Sequence, residues 1–259
     1  MPRRFNCIQM CKPMDALITA AASGMRARME TLDVLANNLA NTAAPGFKAD
    51  REFYNLYISD EAQPNSGLSQ LTQPVSERNW IDFSQGSLSP TGNNLDVAIS
   101  GKGFFAVNSP AGTLYTRDGS FQLSPQGLIQ TKEGYSLRRQ DSGKPIQVDQ
   151  SLPVEITPDG IVRQDGQDLA KIDLVDFSNV QTLAKQGRNY FILSNPDLKP
   201  TPATEAELQQ GKIESANVQP AESAVRLITV MRQFEILQKA MTIGADMNKK
   251  ALDEVARVA

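Results

Sequence analysis

Both ends of this 259-residue chain carry long amphipathic patterns, and neither pattern has an apolar partner close to it in sequence. Between Asp15 and Asn41, the residues Ala22, Met25, Met29, Leu32, Ala36 and Leu39 recur at alternating intervals of three and four, the seam spacing of a coiled coil. A second stripe, Ile18, Ala21, Met25, Leu32, Leu35 and Leu39, overlaps it, so more than one side of the helix is apolar. Asp15 is placed to cap the start. Gly24 is the helix-weakening residue inside, costing about 0.5–1 kcal/mol relative to alanine. At the other end Pro220 suits a first helical position, and Glu222 follows where the macrodipole favours an anion. Ala224, Leu227, Met231, Phe234, Gln238, Met241, Ala245, Asn248 and Leu252 keep the same rhythm, with Val225, Ile228, Val230 and Leu237 beside it. Helices draw most of their stability from packing, so the simplest solution pairs the two ends with each other.

Pairing alone leaves surface over. A two-helix pair buries one stripe per helix, whereas these helices carry two adjacent stripes, with Met25, Met29, Met231 and Met241 among the filling. Methionine adapts to irregular neighbours, and a broad apolar face left after pairing predicts partner subunits. The alternative is an intramolecular helical hairpin on an ordinary domain. On the assembly reading the candidate contact residues are Met25, Met29, Leu32, Leu35 and Leu39 in the first helix. In the second they are Leu227, Ile228, Met231, Phe234, Leu237 and Met241.

The first pattern ends in "ANNLANTAAPGFKAD". Asn37, Asn38 and Asn41 lie three and four apart, so their amides share one side of the last turns. They form either a solvent-facing polar edge or a set of donors and acceptors that meets other chains and fixes register. Pro45 cannot continue the helix and Gly46 permits a turn, so the chain must leave here, and Phe47 is expected to anchor the exit against a neighbouring surface.

Between the helices the chain reads as β-structure. "LDVAI" alternates with period two, and "SGKG" is expected to make a hairpin turn into "FFAV". Asp118-Gly119, Gln126-Gly127, Asp159-Gly160 and Asp165-Gly166 punctuate further short runs in the manner of hairpins. The expected fold is α+β. A hairpin-rich, all-β centre, sandwich- or barrel-like, is flanked by N- and C-terminal helices that pair as a coiled coil. The expected segments are an extension at 1–13, a first helix at 14–41 and a connector with some strand at 42–92. A β domain follows at 93–194, then a returning connector at 195–216 and a second helix at 217–257. The basic, unpatterned start "MPRRFNCIQMCKP" precedes a second methionine, Met14, which is expected to be the translation start.

Composition closes off several functions. The chain has no histidine, which removes Ser-His-Asp and Cys-His nucleophile arrangements and the commonest metal ligand. Cys7 and Cys11 lack the second ligand pair of a zinc site. A net charge of −3 argues against nucleic acid as a main partner. No run of 18 apolar residues offers a membrane span. Gly101-Lys102-Gly103 lacks the third glycine and the following helix of a dinucleotide loop. Asp159 and Asp165 sit in D-G turns, where aspartate serves backbone geometry. No enzyme activity, cofactor, metal or small-molecule substrate is expected.

Several separated motifs resemble those of flagellar basal-body rod and hook proteins, in order, from Met14 to about Val255. They are "ANNLANTAAPGFKAD", "FSQGSLSPTGNNLDVAISGKGFFAV", "YTRDGSFQLSPQGLIQTKEGY", "LAKQGRNYF" and "GKIESANVQPAESAVRLITVMRQFEILQKAM". The start "MDALITAAASGM" is more like a proximal-rod protein than a distal-rod protein. The resemblance implies a structural subunit of the rod that crosses the periplasm. Such a subunit leaves the cytosol through the flagellar type III export apparatus without a cleaved signal. It polymerises with itself and other rod subunits through its terminal helices, with no membrane insertion. The absence of cysteine after Cys11 suits such a route, since no disulfide has to be broken or made on the way.

Overall fold

The computed structural model describes residues 12–58, 72–195 and 198–258. Cys7, Cys11 and the rest of the N-terminal extension before Lys12 lie outside the described residues. The chain divides into two compact units. One holds the N-terminal segment as far as Leu39, Asp50–Trp80 and everything from Pro220; the other holds Ala40–Ala49 and Ile81–Gln219.

The first unit is built on two helices, α1 (Lys12–Ala40) and α2 (Pro220–Val258). α1 starts ahead of Met14, which places Asp15 inside the first turn and not before it as a cap. α2 opens on Pro220, whose fixed φ and missing N–H cost nothing at that position, with Glu222 in the first turn and Arg257 in the last. Gly24 has a positive use. A Cβ there would lie 3.4 Å from Leu237 Cδ1, so the missing side chain lets the leucine of α2 close on α1. Thr31 is buried in α1 at 2% exposure, and its hydroxyl donates to the Ala27 carbonyl at 3.0 Å, which satisfies it without leaving the helix. Strands Asp50–Ile58 and Thr72–Ile81 pair in a two-stranded sheet.

The second unit is mostly β and consists of several sheets among the described residues. The largest runs through Leu183–Gln186, Tyr190–Leu193, Gly112–Thr116, Phe104–Ser109, Ser136–Leu137, Ile129–Gln130 and Gln122–Leu123, with Leu174–Asp176 also pairing Phe104–Ser109. The continuous apolar run "FFAV" has a simple cause. Side chains alternate across a strand, and both faces of this one are covered. Phe105 and Val107 enter one core with Val97, Ile99, Ile129, Leu137 and Ile172. Phe104 and Ala106 enter a second core with Tyr115, Phe177 and Phe191. Edge-to-face aromatic pairs fill the second core, Tyr115–Phe177 at 4.9 Å and Phe83–Phe104 at 5.6 Å between centroids.

Some turns behave as the sequence suggests and others do not. Asp165 (φ 49°) and Gly166 (φ 74°) make a two-residue turn between Ile161–Gln164 and Gln167–Lys171, with both central residues left-handed. Asp159-Gly160 and Gln126-Gly127 also join paired strands. "SGKG" is not a hairpin turn. Val97–Ser100 pairs with Glu207–Gln210, while Phe104–Ser109 belongs to the large sheet, so the glycines carry the chain from one sheet to another. Asp118-Gly119 likewise lies between strands that do not pair; Asp118 Oδ1 accepts from the Ser120 amide at 2.9 Å. Residues 195–216 do more than connect. Glu207–Gln210 and Lys212–Glu214 pair with Val97–Ser100 and Leu88–Pro90.

Candidate assembly surface

α2 separates its apolar residues onto two sides. Leu227, Val230, Phe234, Leu237, Met241, Gly244 and Asn248 follow one another at intervals of three and four and are buried or half-buried. On the opposite side Val225, Ile236, Ile243 and Met247 stand eleven, seven and four residues apart, close to three, two and one whole turns. These four are 66%, 64%, 60% and 57% exposed. Ile228 and Met231 flank them, also exposed. Single exposed apolar residues are ordinary, but these four align along one side of α2, with the exposed Thr229, Arg232 and Lys239 between them.

Of the expected contact residues, Leu227, Phe234, Leu237 and Met241 therefore lie on the covered side of α2, and Ile228 and Met231 on the open flank. In α1 Leu35 is buried, Met25, Leu32 and Leu39 are half-buried, and Met29 is 55% exposed. Ile236, Ile243 and Met247 lie outside the expected contact residues, because those residues follow the denser apolar row on the other side; the same spacing started at Ile236 marks this side.

The asparagines part company. Asn37 is exposed, and Asn38 and Asn41 are buried. Asn38 Nδ2 donates to the Asp50 carbonyl at 2.8 Å and its Oδ1 accepts from the Asp50 amide at 2.9 Å. That side-chain amide is engaged by the Asp50 backbone of its own chain.

Within the second unit, the "PGFKA" segment is held as tightly as a core strand. Gly46 has φ 67°, and its amide donates to the Glu214 carbonyl at 2.7 Å. Phe47 is 1% exposed, with the Lys185 ammonium 4.4 Å from its ring centre. The expected anchor on a neighbouring surface is thus an anchor in its own chain, since the ring has no exposed area to offer. Asn189 Nδ2 donates to the Pro45 carbonyl at 2.9 Å. Asn217 Oδ1 accepts from the Ala49 amide at 2.8 Å, and its Nδ2 donates to the Asp82 carbonyl at 2.7 Å. Lys48 Nζ donates to Glu214 Oε1 at 2.6 Å and Arg117 Nη1 to Glu214 Oε2 at 3.1 Å. Burial pushes the Lys48 and Arg117 pKa values down, and the Glu214 carboxylate opposes it. No local pattern foretold this cluster, because Lys48 and Glu214 are 166 residues apart.

Among the described residues no group of three or more Cys, Asp or Glu is placed to hold a metal, and no helix is long and apolar enough to cross a membrane. The described residues define an α+β protein whose helical unit keeps an open apolar side.

Family comparisons agree with that class. Residues 18–48 match the "Flagella basal body rod protein" model, residues 98–164 the "Flagellar hook protein FlgE/F/G D1 domain" and residues 209–254 the "Flagellar basal body rod FlgEFG protein C-terminal". The chain is similar to the flagellar basal-body rod protein FlgF of Caulobacter vibrioides, at 33% identity over 94% of this chain and 99% of the relative. It is similar to FlgF of Mesorhizobium japonicum at 30% identity, over 92% and 97%. With FlgG of Buchnera aphidicola subsp. Schizaphis graminum it shares 34% identity, over 88% and 95%. The chain belongs to the flagellar basal-body rod protein family, whose members named here are structural proteins and not enzymes.

Proposed function

We propose that this chain is a structural subunit of the proximal part of the flagellar rod, exported by the flagellar type III apparatus and polymerised through its terminal helices. The observation that carries the assembly half is the open stripe Val225, Ile236, Ile243 and Met247, opposite the side of α2 that is already covered. Water-exposed isoleucines gain about 25 cal/mol for each Å² of apolar area that a neighbour covers. α1 and α2 pair as a coiled coil with Leu237 over Gly24, and the stripe left open receives other subunits. In this reading Met25, Met29, Leu32, Leu39, Ile228 and Met231 extend the contact surface, while Leu35, Asn38 and Phe47 shape the subunit that presents it. The proximal assignment draws on the near full-length similarity to two FlgF proteins.

A second reading, a distal-rod subunit, is favoured by the Buchnera FlgG relative at 34% identity. Basal bodies isolated from a deletion strain separate the two. Rod growth that stops before the distal segment supports the proximal reading, a rod that lacks only its distal segment supports the distal one, and complete rods contradict both.

A further inference from the structure

One carboxylate gathers the segments that lead to both helices. Glu214 is 1% exposed and ends the short strand Lys212–Glu214, six residues before α2 begins. Its Oε1 accepts from Lys48 Nζ at 2.6 Å and from the Gly86 amide at 2.9 Å, its Oε2 from Arg117 Nη1 at 3.1 Å, and its own carbonyl from the Gly46 amide at 2.7 Å. Lys48 also donates to the Ser84 carbonyl at 2.8 Å and Arg117 Nη2 to the Gly101 carbonyl at 2.8 Å. Residues 46–48 follow α1, residues 84–86 follow the two-stranded arm, and residue 214 precedes α2. Two cations thus share a single buried anion within the β unit.

We infer that Glu214 is the positioning residue of assembly: its carboxylate fastens the exit from α1, the return from the arm and the approach to α2 into one rigid root. This rests on the assembly reading above. The charge count makes the role asymmetric. Loss of Lys48 leaves a carboxylate still paired with Arg117. Loss of the Glu214 charge leaves two buried cations side by side, with Asp82 as the further carboxylate acting on Lys48 and Asp176 on Arg117.

The test uses the purified full chain and amide exchange, with four samples: wild type, Lys48→Met, Glu214→Gln and the double variant. Expected is a loss of protection at Gly46, Phe47, Ala49 and Gly86 of at least about tenfold in Glu214→Gln, with Val107 and Ile172 in the core unchanged. The double variant should regain a large part of it, because it removes one of the two stranded cations. A role of size and shape alone predicts the double variant to be worse than either single one, and that result overturns the inference. Unchanged protection in Glu214→Gln overturns it too. If Glu214→Gln does not fold, the double variant must fold and show the protected root; its failure as well counts against the charge argument. Incorporation into rods is measured separately in cells. A loosened root with normal incorporation removes the link to assembly, whereas a wild-type chain that never enters rods contradicts the proposed function and leaves the root intact.

Discussion

At Gly46 the backbone turns with φ 67° so close to Arg117 that an added Cβ would lie 2.4 Å from its carbonyl carbon. Gly46→Ala is expected to cost about 2–4 kcal/mol, from a left-handed backbone and a clash that backbone cannot relieve. Gly92 has φ 74° but nothing within 4 Å of its Cβ position, so Gly92→Ala should cost only about 1–2 kcal/mol. Urea unfolding of the two variants measures the difference, and equal losses would mean that the approach to Arg117 is not tight. A second residue-scale expectation concerns pH. Tyr190 is held well above the ordinary tyrosine pKa of 10.0 by burial and by donating its hydroxyl to Glu133. A folded pKa above the unfolded one gives stability that is fully present below about pH 10 and is lost as pH rises through the folded value. Stability should therefore fall above about pH 10, and Tyr190→Phe should flatten that fall in thermal unfolding followed from pH 8 to 11. The Pro-Gly turn was readable from two letters of sequence. The partners of Lys48 and Phe47 were not, because long-range contacts leave no local spacing behind.

At the scale of elements, the helices were legible and their faces only half so. The three-and-four rhythm follows the covered side of α2, where Leu237 meets Gly24, but it passes over Ile236 and Ile243 on the opposite side. The two sides should respond differently to the same charge. Leu237→Asp puts a carboxylate into a half-buried contact and is expected to destabilise the free chain by about 2–4 kcal/mol. Ile243→Asp, at a 60% exposed position, should change the stability of the free chain by no more than about 0.5 kcal/mol. Circular dichroism melts of both variants decide the matter, and a large loss in Ile243→Asp would show that this side is covered within the subunit. Among the strands, D-G turns were read correctly where they join neighbours, as at Asp165-Gly166, and misread where a similar turn carries the chain between sheets, as at "SGKG". A glycine pair encodes a change of direction. Which strand lies beyond it is set by the packing of Phe104 and Phe105 into two different cores.

At the scale of the molecule, the chain is a β unit rich in long-range pairing and a helical unit with apolar surface left open. In a dilute sample the amides of α2 should exchange faster than those of Phe104–Ser109, because helices of this kind depend on neighbours for their stability. Equal protection of both would mean that the helix needs no partner. The family was readable from ordered motifs spread over most of the chain. The open stripe was not, since exposure is a property of the folded subunit. Isolated basal bodies test directly whether this stripe joins the subunit to the rod. Basal bodies are isolated from a deletion strain that carries either the wild-type chain or Ile236→Asp/Ile243→Asp, and are examined by electron microscopy alongside immunodetection of the subunit. Complete rods are expected with the wild-type chain, and truncated rods without the subunit in a variant whose purified chain is folded. Complete rods containing the folded variant would contradict that role of the stripe.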